Sequence, residues 1–177
     1  MEWLEELLRS RTFKRRLKEA ALITYETGHE SGFLVTKKGK KLFYEKVKEG
    51  LCDEIDLTST AIVANWTGYE VEGGVHFHPN AMGVIAPSYP DLSPVTWTRV
   101  KEMIKPPCAK WLIVGQVRSD KTVALLAVKP KGVLFYDEIS EYEDYEIPLY
   151  GDQGSINKIL EEFGFEVKLV YLPRLLR

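Results

Sequence analysis

The stretch Gly73-Gly74-Val75-His76-Phe77-His78-Pro79 carries two of the chain's three histidines, two residues apart, after a run that reads as a strand. Successive side chains on a strand point to opposite faces, so His76 and His78 share one face, about 7 Å apart along the backbone. At that separation both imidazoles can lean onto one metal ion, each nitrogen about 2.0–2.1 Å from a zinc. Pro79 has no N–H to give to a ladder and ends the strand. Asp91, in the loop or helix start beyond Pro87-Ser88-Tyr89-Pro90, adds a carboxylate. Two imidazoles and one carboxylate leave a fourth position open, the form that a catalytic zinc site takes. On its residues alone the chain reads as a zinc hydrolase.

The bulk properties agree with an enzyme of ordinary kind. A chain of 177 residues is expected to form one domain, residues 1–177, with a substantial core. A hydrophobic share of 45% against 28% charged argues for a folded chain over a disordered one. The net charge of −2 argues against broad phosphate neutralisation, so no nucleic-acid partner is expected. No apolar run reaches bilayer length and the N-terminus reads as a charged amphipathic helix, so the expectation is a cytoplasmic protein without a membrane partner. Cys52 and Cys108 are too few for a disulfide framework and read as two buried thiols.

Around the histidine strand the chain alternates helix and strand. Residues 2–28 read as helix from Trp3, Leu4, Leu7, Leu8, Phe13, Leu17, Ala20, Ala21 and Tyr25, with a break at Ser10 or Thr12 and Gly28 as cap. The basic residues Arg9 to Lys18 read as a solvated face. A strand from Gly32, a turn at Lys37-Lys38-Gly39-Lys40 and a returning strand from Leu42 to Val47 follow. Residues 55–66 read as a further extended segment. Ser93-Pro94 resembles an N-cap with Pro at the first helical position, opening a helix to about Ile104, stopped by Pro106-Pro107. Residues 111–117 and 122–128 read as a buried hairpin, and residues 133–136 as a strand. The acidic, tyrosine-bearing stretch from Asp137 to Glu146 reads as an exposed loop. Residues 155–163 read as a helix, and 165–172 as a last strand. The pattern is α/β, a mixed sheet with helices before, within and after it and the histidine strand central.

Ser88 lies three residues before Asp91, so in a helical turn both side chains point the same way. That makes Ser88 a candidate hydrogen-bond donor to an oxyanion; the rival reading is a capping box between the same two residues. A carboxylate beside the metal's water is also required as general base. Glu30, at the mouth of the first strand and next to Gly32, is the choice, although spacing alone does not separate it from other carboxylates. His29 is expected to point elsewhere.

The arrangement Glu30-Ser31-Gly32-Phe33-Leu34, then His76-x-His78-Pro79, then Ser88-x-x-Asp91 resembles the JAMM metalloproteases, the catalytically competent branch of the MPN domain family. The resemblance spans roughly Leu17 to Thr98 by motif. It implies a mixed curved β-sheet with flanking helices, the MPN (cytidine-deaminase-like) sandwich. It implies Zn2+ held by His76, His78 and Asp91, with Glu30 as general base and Ser88 stabilising the oxyanion. Two details depart from the usual pattern: eight residues separate Pro79 from Ser88, slightly more than is common, and Phe77 stands where a small residue is frequent. Both bear on substrate preference more than on metal binding.

The resemblance further implies hydrolysis of peptide or isopeptide bonds after the C-terminal Gly-Gly of a ubiquitin-like or sulfur-carrier modifier, so the expected partners are such modifiers and their conjugates. The compact chain is similar to the small stand-alone prokaryotic, archaeal members. The rival expectation is a non-catalytic MPN-type binding or scaffold module, which would need none of these five residues. A nucleobase deaminase would show a Pro-Cys-x-x-Cys signature, which is absent. The sequence leaves open which modifier is cut, whether a homodimer completes the cleft, and whether the Asn80 to Pro87 loop gates it.

Overall fold

A computed structural model describes residues 1–52, 54–79, 83–144 and 152–177. The N-terminal helical run divides at Ser10 into α1 (Glu2–Arg9) and α2 (Arg11–Thr27), because the Ser10 hydroxyl accepts the Phe13 N–H at 3.2 Å and starts a new helix. Gly28, at φ 71°, closes α2 in the left-handed region. Then come β1 (Ser31–Lys38), β2 (Lys41–Tyr44), β3 (Lys48–Glu49), α3 (Thr58–Trp66) and β4 (Glu70–Phe77). A 3-10 segment (Pro90–Val95), β5 (Thr98–Val100), β6 (Met103–Lys105), β7 (Trp111–Val117) and β8 (Val123–Pro130) follow. The chain continues through a second 3-10 segment (Tyr136–Asp144), α4 (Gln153–Glu162) and β9 (Phe165–Leu172).

The main sheet runs β2-β1-β4-β7-β8-β9, with β3 also pairing β1. All of its pairs are antiparallel except β4–β7, so the sheet is mixed and mostly antiparallel. β4 has a neighbour on each side, the central place expected of the histidine strand. Period two sorts its residues: Val75 and Phe77 join Phe13, Leu17 and Ala20 in the core under α1 and α2. His76 points to the other face. There Leu112, Val114, Leu126 and Val128 meet Leu92, Val95, Tyr142, Ile156 and Leu160 from the 3-10 segments and α4. No described helix is long and apolar enough to cross a membrane.

Four expectations are corrected. Residues 58–66 are helix α3 and not an extended segment; the β-branched residues that suggested a strand are carried on a helix whose buried anchor is Ala64, with Val63 exposed. The helix expected to run to Ile104 is a 3-10 segment ending at Val95, followed by the β5–β6 hairpin. Thr96 ends it by donating its hydroxyl back to Leu92 and Ser93 carbonyls, and Pro94 lies inside it rather than at its start. Residues 133–136 form only one bridge, Trp97 to Phe135, and lead into the second 3-10 segment. Cys52 and Cys108 are free and exposed, not buried. In the acidic stretch Asp137, Glu138, Glu141 and Glu143 are exposed as expected, but Ile139 and Tyr142 between them are buried anchors. Glu146, and Asn80 to Met82 of the loop after Pro79, lie outside the described residues.

Candidate metal centre

Three separate pieces of backbone converge on one point. His76 is on β4, paired to Gly32 of β1 and to Val114 of β7. His78 is one residue beyond the strand, yet its N–H still donates to the Gly115 carbonyl at 2.9 Å, which keeps it in register with His76. The two Nε2 atoms lie 2.9 Å apart.

Glu30 enters from the residue before β1. Its N–H donates to the Leu51 carbonyl and its carbonyl accepts the Gly50 N–H, both at 2.7 Å. The next residue, Ser31, is fixed to α2 through its hydroxyl, 2.6 Å from the Ala20 carbonyl and 2.8 Å from Thr24 Oγ1. Gly32 then allows the close approach of β1 to β4: a Cβ there would stand 2.3 Å from the Val75 carbonyl oxygen and 3.0 Å from the His76 Cβ. As a result the buried Glu30 carboxylate reaches His78, Oε1 to Nε2 at 3.1 Å. The ligand atoms of Glu30, His76 and His78 all lie within 4.8 Å of one another, so this group could hold a metal ion.

Asp91 comes from the first turn of the 3-10 segment. Its Oδ2 lies 3.2 Å from the Nε2 of His76 and 3.2 Å from that of His78. The Ser88 N–H donates to the same Oδ2 at 2.7 Å, and the Asp91 N–H donates to the Ser88 hydroxyl at 3.2 Å. Cap and site were rival readings of these two residues; here one reciprocal cap aims the carboxylate at the histidines. Burial by itself would raise the Asp91 carboxyl. The charge of His76, its hydrogen bond, and then those of His78 outweigh burial and hold it well below the usual carboxylate range.

The turn bearing Ser88 and Asp91 is fastened by groups that the sequence did not flag. Gln153 at the start of α4 accepts the Ile85 N–H and donates to the Ile85 carbonyl, both at 2.8 Å. The Tyr142 hydroxyl donates to the Pro87 carbonyl at 2.6 Å, and that of Tyr89 to the Tyr136 carbonyl at 2.6 Å with their rings stacked. These contacts span 47 to 68 residues and leave no local pattern.

His29 stands apart on the surface, its Nδ1 3.5 Å from Glu49 Oε2. Glu30, His76, Ser88 and Asp91 all line a cavity of about 530 Å³ that continues beneath α3 and carries Cys108 at its edge. No protein-family model matches this chain, and no curated protein does.

Proposed function

We propose that the chain is a zinc-dependent (iso)peptidase of the JAMM type, built on the MPN sandwich, that hydrolyses the bond after the C-terminal Gly-Gly of a ubiquitin-like or sulfur-carrier modifier. The reading rests on the donor triangle of His76 Nε2, His78 Nε2 and Asp91 Oδ2, with edges of 2.9, 3.2 and 3.2 Å. Ligands of a tetrahedral zinc with bonds of about 2.0–2.2 Å stand about 3.3–3.6 Å from one another, slightly wider than these edges. Two imidazole nitrogens and a carboxylate oxygen brought this close are a donor set that suits a shared metal cation. Zn2+ suits the donor types, and a small outward movement of the three side chains brings them to its spacing. Of the two carboxylates, Asp91 is the better third ligand, because one of its oxygens lies 3.2 Å from the Nε2 atoms of both His76 and His78.

When bound, zinc supplies Lewis acidity that brings the pKa of water from 15.7 to about 7. Glu30, at the His78 side of the triangle, takes the proton of the attacking water on its carboxylate and returns it to the leaving amine. Ser88 accepts the Asp91 N–H on its oxygen and keeps its own proton to donate to charge growing on the substrate carbonyl. A fusion of a modifier to a reporter through Gly-Gly is cleaved by the zinc-loaded protein, and cleavage stops with chelator and falls about 10²–10⁴-fold in Glu30→Gln with zinc still bound. Cleavage that persists in Glu30→Gln contradicts the reading.

A further inference from the structure

The cavity beside the metal centre is larger than a diglycine needs, and its floor is apolar. Besides His76 it is lined by Gly74, Leu34, Leu112 and Val71 of the sheet and by Leu57 and Ala61 at the start of α3, with Glu54 and Asp56 adding carboxylates at that end. The register gives it a direction. Gly32 faces His76 and Leu34 faces Gly74, so stepping back along β1 from Gly32 to Glu30 leads away from Gly74. A leaving amine protonated by Glu30 departs toward that end, and the acyl part of the substrate lies the other way, over Gly74 and Leu34. Gly74 is two residues from His76 on the same face, about 7 Å away, and an extended substrate repeats the same two-residue step. A Cβ on Gly74 would meet only Leu34 Cδ2, at 3.6 Å, so the space above it is open.

We infer that this space is a specificity pocket for an apolar side chain on the acyl side of the substrate, two residues before the one whose carbonyl is attacked. The inference rests on the hydrolase reading and deepens it: the tail cut is Xaa-Gly-Gly with Xaa aliphatic or aromatic. The glycine pair lies beside His76 at the metal centre, and Xaa fills the part of the cavity lined by Gly74 and Ala61. Burying three additional carbon groups in such a pocket favours Leu over Ala by about 10- to 100-fold.

The test uses N-acetyl Xaa-Gly-Gly hydroxamates, whose zinc-binding group replaces the scissile bond, titrated calorimetrically into the zinc-loaded protein. Leu and Phe at Xaa bind about 10- to 100-fold more tightly than Ala, and Asp binds more weakly than Ala. Gly74→Val on the sheet and Ala61→Phe on α3 each fill the pocket and abolish most of the Leu-to-Ala ratio. The second variant guards against a folding defect in the first. Equal affinity for Leu and Ala in the unsubstituted protein overturns the pocket. A modifier fusion that is cut without any preference at Xaa removes the pocket alone. A fusion that stays uncut while the hydroxamate preference persists leaves the pocket standing and removes the hydrolase reading.

Discussion

Gly32→Ala separates the roles of the two carboxylates. The new methyl would lie 2.3 Å from the Val75 carbonyl oxygen, so β1 and β4 must part by about 1 Å to restore van der Waals contact. β4 is held on its other side by β7 from Gly73 to Phe77 and by the His78 N–H to Gly115, so β1 is the strand that gives. Glu30 moves with β1, while His76, His78 and Asp91 stay in place. Overpacking of this kind costs about 1–3 kcal/mol, or roughly 2–12 °C in Tm for a chain this long. A catalytic group displaced by 1 Å costs about 100-fold in turnover. Calorimetry gives the first quantity, fusion cleavage the second, and competition with a chromogenic chelator the zinc affinity. The account predicts lower Tm and much lower turnover, with zinc affinity falling far less. Zinc affinity that falls in step with turnover would make Glu30 a ligand and refute the assignment; unchanged Tm would refute the packing argument itself.

Ser88→Ala loses about 10²–10³ in turnover and about 1 kcal/mol of stability, but keeps zinc, because the bond to Asp91 Oδ2 comes from the backbone N–H of residue 88; single-turnover kinetics and zinc titration check this. Gln153→Ala leaves both polar groups of Ile85 without their partner, costs about 1–3 kcal/mol in denaturant unfolding, and weakens zinc binding through the Ser88–Asp91 turn although Gln153 touches neither ligand. Metal binding requires neutral imidazoles and an ionised carboxylate. Asp91 is held below the usual carboxylate range by its two histidine neighbours, so it stays ionised where an ordinary aspartate begins to protonate. Zinc affinity, followed by chelator competition, therefore shows no added step where an ordinary aspartate protonates, at about pH 4; a further decade per pH unit setting in there would mean that Asp91 titrates.

What could be read from the chain depended on how local the cause was. Period two put His76 and His78 on one face because it is a property of the strand itself. Ser10 and Gly28 announced the helix ends because caps act within four residues. Ser88 and Asp91 are three apart, so their pairing was legible even though its purpose was ambiguous. Residues 58–66 misled because Thr, Ile and Val favour strands intrinsically, whereas burial of Ala64 against the sheet favours the helix that forms. The helix expected after Pro94 was misread for a related reason: the Ser-Pro pair imitates a helix start, but Thr96 back-bonding ends the turn there. Glu30 could be chosen only by resemblance, since its approach to His78 depends on the pairing of Gly32 with His76 some forty residues away. Gln153 and Tyr142 were out of reach altogether, being defined solely by what the fold brings beside Ile85 and Pro87.

Anomalous diffraction at the zinc edge from crystals grown with zinc locates the ion without reference to activity. The account predicts one strong peak about 2.0–2.2 Å from His76 Nε2, His78 Nε2 and an Asp91 oxygen, with Glu30 outside the coordination sphere. A peak coordinated by Glu30 in place of Asp91, or no peak between the two histidines, would contradict it.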